Sequence, residues 1–215
     1  GRAALTRPET EPAGAAGTPL AGIRVVEIAG SSAGGYCGRL FAGLGADVTL
    51  VAPPGGRPAR DHPALALVLD GAKHQVASDD PGGLAASLRP DVVIESAAPG
   101  PLNPVAPAAA LDPGTIRVEL SPFGRGGPYA GWSSTDLTDA AISGHALLNG
   151  SPSREPLQGP PHQPAYAAGV FGFIGALAAL WVRPVTGQGQ TVEVTVVKEG
   201  GPSRDWLNPD NGYIR

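Results

Sequence analysis

Short β-branched apolar segments alternate along the chain with segments whose apolar residues have helical spacing. Ile23–Ala29 (IRVVEIA) lies between two glycines, as is typical of a buried strand. Ser32–Leu44 then predicts a helix that Gly45 ends. The other predicted strands are Asp47–Ala52, a weak one at Gln75–Ser78, Asp91–Glu95, Thr115–Leu120 and Gln190–Val197. The other predicted helices are Pro81–Leu88, Asp136–Leu148 with Ser134 or Thr135 as N-cap, and residues 164–182. This alternation predicts an α/β fold, a parallel sheet with helices on its faces.

The predicted helix over residues 164–182 carries no charge, and Ala and Gly supply about half of it. Its length just reaches that of a membrane span. Ala and Gly contribute little transfer energy, however, and no Lys/Arg asymmetry brackets the segment. Small residues at Ala168, Gly172 and Ala176 allow another helix or the sheet to approach closely. We therefore expect a buried helix and no membrane partner.

Composition divides the chain into three parts. The 32 Gly and 24 Pro are concentrated in loops and in residues 1–19, which we expect to be a flexible lead-in. Residues 20–199 hold the predicted elements, and residues 200–215 show no periodicity. The net charge of -4 without a basic stripe disfavours nucleic acid as a partner.

The numbers of cysteines and histidines limit which cellular compartment and which metal sites we expect for this chain. Cys37 is the single cysteine, and no N-terminal apolar stretch resembles a signal peptide, so we expect a cytoplasmic protein. With one Cys and four His no metal-ligand spacing is present, and we expect no metal site.

The loop over residues 29–35 joins the first strand to the first helix and is a natural seat for an anion. A tight turn that merely needs small residues is an equally good interpretation. The loop does not fit G-x-G-x-x-G, and Ala52 stands where a dinucleotide site expects an acidic residue, so NAD is disfavoured. The candidate cofactor contacts in this loop are Ser31, Ser32, Ala33 and Gly34.

A second glycine-rich loop, Ser121–Tyr129 (SPFGRGGPY), leaves the carboxyl end of a strand, the edge where open α/β sheets bind ligands. Gly124, Gly126 and Gly127 would let a ligand approach the backbone, although an ordinary turn is the alternative. Trp132 beside it is either a stacking platform for an adenine or an anchor of the loop.

Four motifs in order resemble CoA-transferase family III, the CaiB/BaiF group that includes the α-methylacyl-CoA racemases. They are LAGIRVVEIAG with the following SSAGGYCGRLFAGLGADVTLVAPPGG, DVVIESAAPG, SPFGRGGPYAG, and GALAALWVRPVTGQGQTVEVTVVKE. The similarity is collinear over residues 19–199. It implies a Rossmann-like large domain with CoA along the strand ends and two interlocked subunits. Beside the loop residues above, we take Arg60, Lys73, Ser96 and Ala97 as candidate CoA contacts.

The resemblance also implies chemistry. Transferases of the family attack an acyl-CoA thioester with an Asp, and racemases exchange a proton through an Asp and a His. Counted back from the TGQGQ motif, Ala165 takes the place of that Asp. The racemase His precedes an Asp like Asp136, and that position holds Thr135. The family's further Arg, Glu and Lys positions hold Ala98, Ala52 and Leu50.

The remaining candidates for acid–base work are Asp136, Asp139, His145 and Tyr166, and of these we take Asp136, His145 and Tyr166 as the candidate catalytic residues. Asp136 and Asp139 share one helix face, where two acids favoured by the helix dipole are the alternative interpretation. We therefore expect either a repurposed enzyme of acyl or CoA-related chemistry or a non-catalytic subunit, with an acyl thioester-like ligand. A binding module that has dropped CoA altogether is a weaker possibility.

Family members run about twice as long, with a small domain after the last matched strand. That domain is absent from this sequence, which leaves open a natural absence, one half of a split pair or a cut sequence. We expect a homodimer, or a hetero-oligomer with a chain that supplies the missing half.

Overall fold

A parallel sheet forms the centre of the fold. The computed structural model describes residues 17–52, 63–96, 110–149, 151 and 153–199. Within them the strands are β1 Arg24–Ala29, β2 Asp47–Ala52, β3 His74–Ala77, β4 Val92–Ser96, β5 Ile116–Ser121 and β6 Thr191–Thr195. Their order is β3-β2-β1-β4-β5-β6, and every neighbouring pair is parallel. This is the strand order of a Rossmann sheet, so the predicted α/β fold is confirmed.

The order of the strands reverses between β1 and β4, where Ala29 lies opposite Ser96. At such a switch point the connections leave in opposite directions and open a crevice at the carboxyl ends of the strands. The loop that follows β1 and the end of β4 therefore meet at the edge where ligands bind in sheets of this kind.

Helices cover the sheet and surround that edge. They are α1 Ser32–Gly43, α2 Pro63–Asp70, α3 Pro81–Ser87, α4 Asp136–Ile142, α5 His145–Leu148, α6 Gln163–Thr186 and α7 Val196–Glu199. The prediction of one helix from Asp136 to Leu148 is wrong, because Gly144 adopts a left-handed conformation (φ 80°) and separates α4 from α5. α2 was not predicted, since its sequence PALALVLD is apolar almost throughout and has no distinct polar face.

The main core lies between the sheet and the pair α1 and α6. Phe41 and Phe173 meet there edge to face, with their ring centroids 4.8 Å apart. Aliphatic residues of β1, β2, β4, β5 and β6 complete it, including Val25, Val48, Ile94, Val118, Leu120 and Val194. A smaller cluster fills the other face of the sheet, where Val26 and Val93 pack with Ala85 of α3.

Small residues let α6 lie directly against α1 and the sheet. Ala168 and Ala176 are fully buried. A methyl group on Gly169 would lie 2.7 Å from the carbonyl oxygen of Ala33, and one on Gly172 would lie 3.0 Å from Val118 Cγ1. The close approach predicted from these positions is confirmed, and it places the first turn of α6 beside the first turn of α1.

The opposite side of α6 is exposed. Among the described residues, α6 is the helix with the length and apolar composition of a membrane span, by those two criteria alone. Its inner side packs on the sheet as expected. Its outer side carries a row of apolar residues that we call the outer stripe: Phe171, Ile174, Trp181 and Val185, which are 46, 52, 86 and 89 % exposed. The expectation of a buried helix therefore holds for the inner side only.

Candidate functional site

A cavity of about 180 Å³ opens at the carboxyl end of the sheet. The helices α1, α4, α6 and α7 begin around it. Its lining combines polar side chains with small and apolar residues, and consists of Gly30, Ser31, Ser32, Ala33, Leu120, Ser121, Pro122, Ser134, Thr135, Asp136, Asp139, His162, Ala165 and Val196. The predicted ligand-binding edge of the sheet thus contains a formed cavity.

The first wall of the cavity is the loop between β1 and α1. Ser31 caps α1, because its Oγ accepts a hydrogen bond from the N–H of Gly34 (3.3 Å). The N–H of Ser31 donates to Oγ of Ser96 at the end of β4 (3.2 Å). The N–H groups of Ser31 and Gly34, which we expected to be available to an anion, are thus bound by serine side chains. Ser32 and Ala33 complete this wall.

The second wall is the start of α6. Ala165 faces the cavity from the first turn, across from Ala33. His162, at the N-cap position, has a left-handed backbone (φ 65°) and also lines the cavity. Its Nδ1 lies 3.5 Å from Oγ of Ser32, a long contact, and its ring centroid lies 6.0 Å from that of Tyr166. His162 was not predicted as a site residue; its position three residues before Ala165 was the available signal.

The third wall is the start of α4. Thr135 is the N-cap and forms a capping box with Thr138, so the second of the two predicted caps is correct. Asp136 uses both carboxylate oxygens within the protein: Oδ1 accepts from the N–H of His162 (2.8 Å) and Oδ2 from Nε2 of Gln158 (3.1 Å). The Asp136 carboxylate therefore ties α4 to the segment that enters α6.

Asp139 stands one turn further along α4 and is only 8 % exposed. Its Oδ2 accepts a hydrogen bond from Oγ of Ser134 (3.3 Å), whereas its Oδ1 has no hydrogen-bond partner among the described residues. Burial raises the pKa of Asp139 to about 6. The bond from Ser134 opposes this rise, and the negative charge of Asp136 adds to it.

Of the three predicted catalytic residues, Asp136 alone lines the cavity. His145 begins α5 and is not among the lining residues. The Tyr166 ring packs on that of Tyr36, with centroids 4.9 Å apart, and burial raises the pKa of its phenol. The cavity instead brings Asp136 together with Asp139 and His162.

The predicted cofactor contacts fall into separate groups. Ser31, Ser32 and Ala33 line the cavity, and Gly34 and Ser96 support that wall from behind. Lys73 does not reach the cavity, because its fully buried ammonium is held by Oε2 of Glu27 (2.5 Å), the carbonyl oxygen of Gly35 (2.8 Å) and Oδ1 of Asp70 (3.4 Å). The structure gives Lys73 the position of a structural ion pair. Arg60 and Ala97 lie outside the described residues.

The second glycine-rich loop runs beside the cavity. The N–H of Gly124 donates to Oγ of Ser121 (3.0 Å), whereas Gly126 and Gly127 are exposed and do not line the cavity. Trp132 packs edge to face on Tyr129 at 4.8 Å, although 56 % of it stays exposed. These contacts favour the loop-anchor interpretation of Trp132. In the described part of the chain no group of three or more His, Cys, Asp or Glu is placed to hold a metal ion.

Two relatives of known activity are similar in sequence to most of this chain. The chain is 32 % identical over 197 residues to a succinyl-CoA–D-citramalate CoA-transferase of Chloroflexus aurantiacus, covering 83 % of this chain and 49 % of the relative. It is 31 % identical over 242 residues to the alpha subunit of a succinyl-CoA–L-malate CoA-transferase of the same organism, covering 100 % and 56 %. The chain thus spans about half the length of these relatives.

A solved structure also matches most of this chain. A CaiB/BaiF family protein from Brucella suis superposes with a TM-score of 0.79 at 27 % identity, covering 92 % of this chain and 57 % of that protein. The sequence model of CoA-transferase family III matches residues 20–81 and 84–202. Because this match spans most of the chain, and the sheet and its crevice agree with it, the protein belongs to CoA-transferase family III.

Proposed function

We propose that the chain binds a CoA thioester with the acyl end in the cavity, and that its chemistry does not pass through a nucleophile at position 165. The observation that carries this proposal is the position of Ala165 in the cavity wall, at the point of the family motif where the resemblance expects Asp. A methyl group can neither attack a thioester carbonyl nor accept a proton. The family's usual first step therefore lacks its attacking group in this chain.

The size of the cavity supports an acyl end rather than a whole cofactor as its occupant. Pockets that enclose a drug-sized ligand measure ~300–1,000 Å³, and this cavity measures about 180 Å³. An acyl group fits, and the rest of CoA would lie outside it. The N-terminal ends of α1 and α6 both open onto the cavity, and their dipoles favour partial negative charge on a thioester carbonyl oxygen.

The polar groups that remain suit acid–base work rather than nucleophilic attack by residue 165. Asp139 has one unpartnered oxygen among the described residues, and His162 presents an imidazole beside Ser32. Both lie on the cavity wall. A repurposed enzyme that polarises a thioester and moves a proton agrees with this set.

Titration calorimetry with CoA and acetyl-CoA tests the binding, and an acyl-exchange assay tests the chemistry. We expect the wild-type chain to bind but not to exchange acyl groups, and Ala165→Asp to gain exchange. Ala167→Asp is the matched control, since it adds the same carboxylate in the same turn at a residue that does not line the cavity. Exchange by the wild-type chain at the rate of Ala165→Asp would contradict the role given to position 165. Absence of binding would contradict the ligand.

A second candidate function is that of a non-catalytic subunit that pairs with another chain. Two observations favour it: the exposed outer stripe of α6, and relatives that are named as alpha and beta subunits of one succinyl-CoA–L-malate CoA-transferase. Apolar patches of this kind seldom remain uncovered. Size-exclusion chromatography with light scattering tests the association, and a monomer at every accessible concentration would count against self-association.

A further inference from the structure

The turn between β1 and α1 carries a serine in the setting of a reactive nucleophile. Residues 30–34 read GSSAG, which fits the pattern G-x-S-x-G with Ser32 at its centre. In enzymes that use this pattern, the serine lies on a sharp turn from a strand into a helix, with its hydroxyl exposed at the edge of the sheet. Here β1 ends at Ala29 and α1 begins at Ser32. A five-residue pattern also arises by chance, so the surroundings of Ser32 must carry the argument.

The imidazole of His162 stands beside the Ser32 hydroxyl. Nδ1 of His162 lies 3.5 Å from Oγ of Ser32, across 130 residues of sequence. Both residues line the cavity, and both are partly exposed, so a ligand can reach them. In the tautomer that carries its proton on Nε2, Nδ1 can accept the hydroxyl proton. The contact between a nucleophile and its base is often longer than ~3.2 Å until substrate binds. The two side chains therefore have the arrangement of a nucleophile and its general base.

The backbone around His162 is held in an unusual conformation. Its φ of 65° is one of two left-handed values among the non-glycine residues that the structure describes. Such values are unfavourable for most side chains, and they concentrate at functional sites. Oδ1 of Asp136 accepts a hydrogen bond from the N–H of His162 (2.8 Å). This bond fixes the segment that enters α6 and keeps the imidazole at the cavity.

Two backbone donors lie next to the serine hydroxyl. The N–H groups of Ser32 and Ala33 belong to the first turn of α1, where the helix itself offers them no acceptor. No other acceptor reaches them within the described residues. When a serine attacks a carbonyl group, the N–H of the following residue is a usual donor to the oxyanion that forms, and that residue is Ala33. The dipole of α1 favours the same negative charge.

We propose that Ser32 and His162 hydrolyse a thioester bound in the cavity. Oγ of Ser32 forms a bond to the acyl carbon while its proton passes to Nδ1 of His162. The C–S bond then breaks, and the same proton leaves with the sulfur, so that CoA departs as a free thiol. Water next attacks the serine ester and gives a proton to His162, which returns it to Oγ as the carboxylic acid leaves. The reaction consumes one water and yields one acid and one CoA.

This inference rests on the proposed function for its substrate, and it adds a nucleophile outside position 165. Labelling with a fluorophosphonate, which forms a stable bond to activated serines, tests that nucleophile whether or not CoA binds. We expect the 215-residue chain to be labelled at Ser32, as located by peptide mass spectrometry, and Ser32→Ala to lose this label. His162→Asn should slow labelling about 100-fold or more, because Asn tolerates the left-handed backbone as His does but takes up no proton.

The chain offers matched controls for both substitutions. Ser87→Ala and His74→Asn change the same residue types at exposed positions that do not line the cavity. Both variants should be labelled at the wild-type rate. Labelling only at other serines, or an unchanged rate in His162→Asn, would overturn the pairing of Ser32 with His162.

Release of free thiol from acetyl-CoA tests the reaction, and calorimetry of Ser32→Ala with acetyl-CoA tests binding apart from turnover. We expect the wild-type chain to release CoA and Ser32→Ala to bind acetyl-CoA without releasing it. Binding by Ser32→Ala together with no release by the wild-type chain would overturn this inference and leave the proposed function in place. Absence of binding to both chains would overturn the proposed function and, with it, the thioester as the substrate of the pair.

Discussion

The walls of the cavity at α1 and α6 differ in character from the wall at α4. The walls at α1 and α6 consist of small residues and His162, and the two helices approach so closely that Gly169 has no room for a methyl group. The wall at the start of α4 carries two carboxylates: both oxygens of Asp136 accept a hydrogen bond, whereas Oδ1 of Asp139 has no partner among the described residues. The walls at α1 and α6 are continuous with the main core through Ala33 and Ala165.

This contrast indicates which substitutions should change the free energy of unfolding and which should change ligand binding and pH dependence. Changes in the α1–α6 wall should act on the free energy of unfolding, because that wall is continuous with the core. Changes in the α4 wall should act on ligand binding and on pH dependence, because Asp136 and Asp139 line the cavity there and burial raises the pKa of Asp139. Three substitutions test this division.

The largest effect is expected where a buried ion pair supports the α1–α6 wall. Lys73→Met leaves the fully buried Glu27 carboxylate without its nearest cation and removes the bond to the Gly35 carbonyl. We expect a loss of about 3–5 kcal/mol in the free energy of unfolding at neutral pH, measured by urea denaturation. The double variant Glu27→Gln with Lys73→Met should lose less, because the buried Glu27 charge is then removed together with its nearest cation. A single-variant loss below about 1 kcal/mol would show that the pair does not support the wall.

A smaller effect is expected at the contact between the two helices. Gly169→Ala places a methyl group 2.7 Å from the Ala33 carbonyl oxygen. Because this oxygen belongs to the backbone of α1, it cannot rotate away as a side chain could, and the two helices must move apart. We expect a loss of about 1–3 kcal/mol by the same measurement. Gly43→Ala is the matched control, since Gly43 also lies in a helix but has open space around it; it should change stability by less than about 1 kcal/mol. Equal effects at the two glycines would contradict a close-packed wall.

The smallest effect is expected in the α4 wall and depends on pH. Since burial raises the pKa of Asp139 from 3.8 to about 6, the folded chain binds more protons than the unfolded chain between these values. Its stability therefore falls as the pH rises through this window. Asp139→Asn cannot titrate, so its stability relative to wild type should rise by roughly 1 kcal/mol between pH 4 and pH 7, with solvent screening allowed for.

Thermal or urea unfolding at several pH values measures this difference. Asp112→Asn controls for the loss of one negative charge, because Asp112 is an exposed residue that pairs with Arg89 and does not line the cavity. A stability difference between Asp139→Asn and wild type that stays constant from pH 4 to pH 7 would contradict a buried carboxyl whose pKa is raised.

The sequence predicted much of the fold and less of the site. The alternation around β1, α1 and β2 was correct because its apolar spacing reports directly on backbone hydrogen bonding and burial. Gly144 was overlooked as a break, since a glycine inside a helical pattern is often tolerated. Of the predicted catalytic set, Asp136 lines the cavity, whereas His145 does not, because the break at Gly144 puts it on a separate helix.

From the amino-acid order alone follow the parallel sheet, the small residues of α6 and the alanine at position 165. These depend on the local period and on residue size, which act over a few residues. The packed chain decided the rest: Lys73 is enclosed with Glu27, His162 meets Ser32 across 130 residues of sequence, and Asp139 keeps one carboxylate oxygen unpartnered among the described residues. A polar side chain finds its partners only when distant segments pack together, and no local pattern records which atoms will meet.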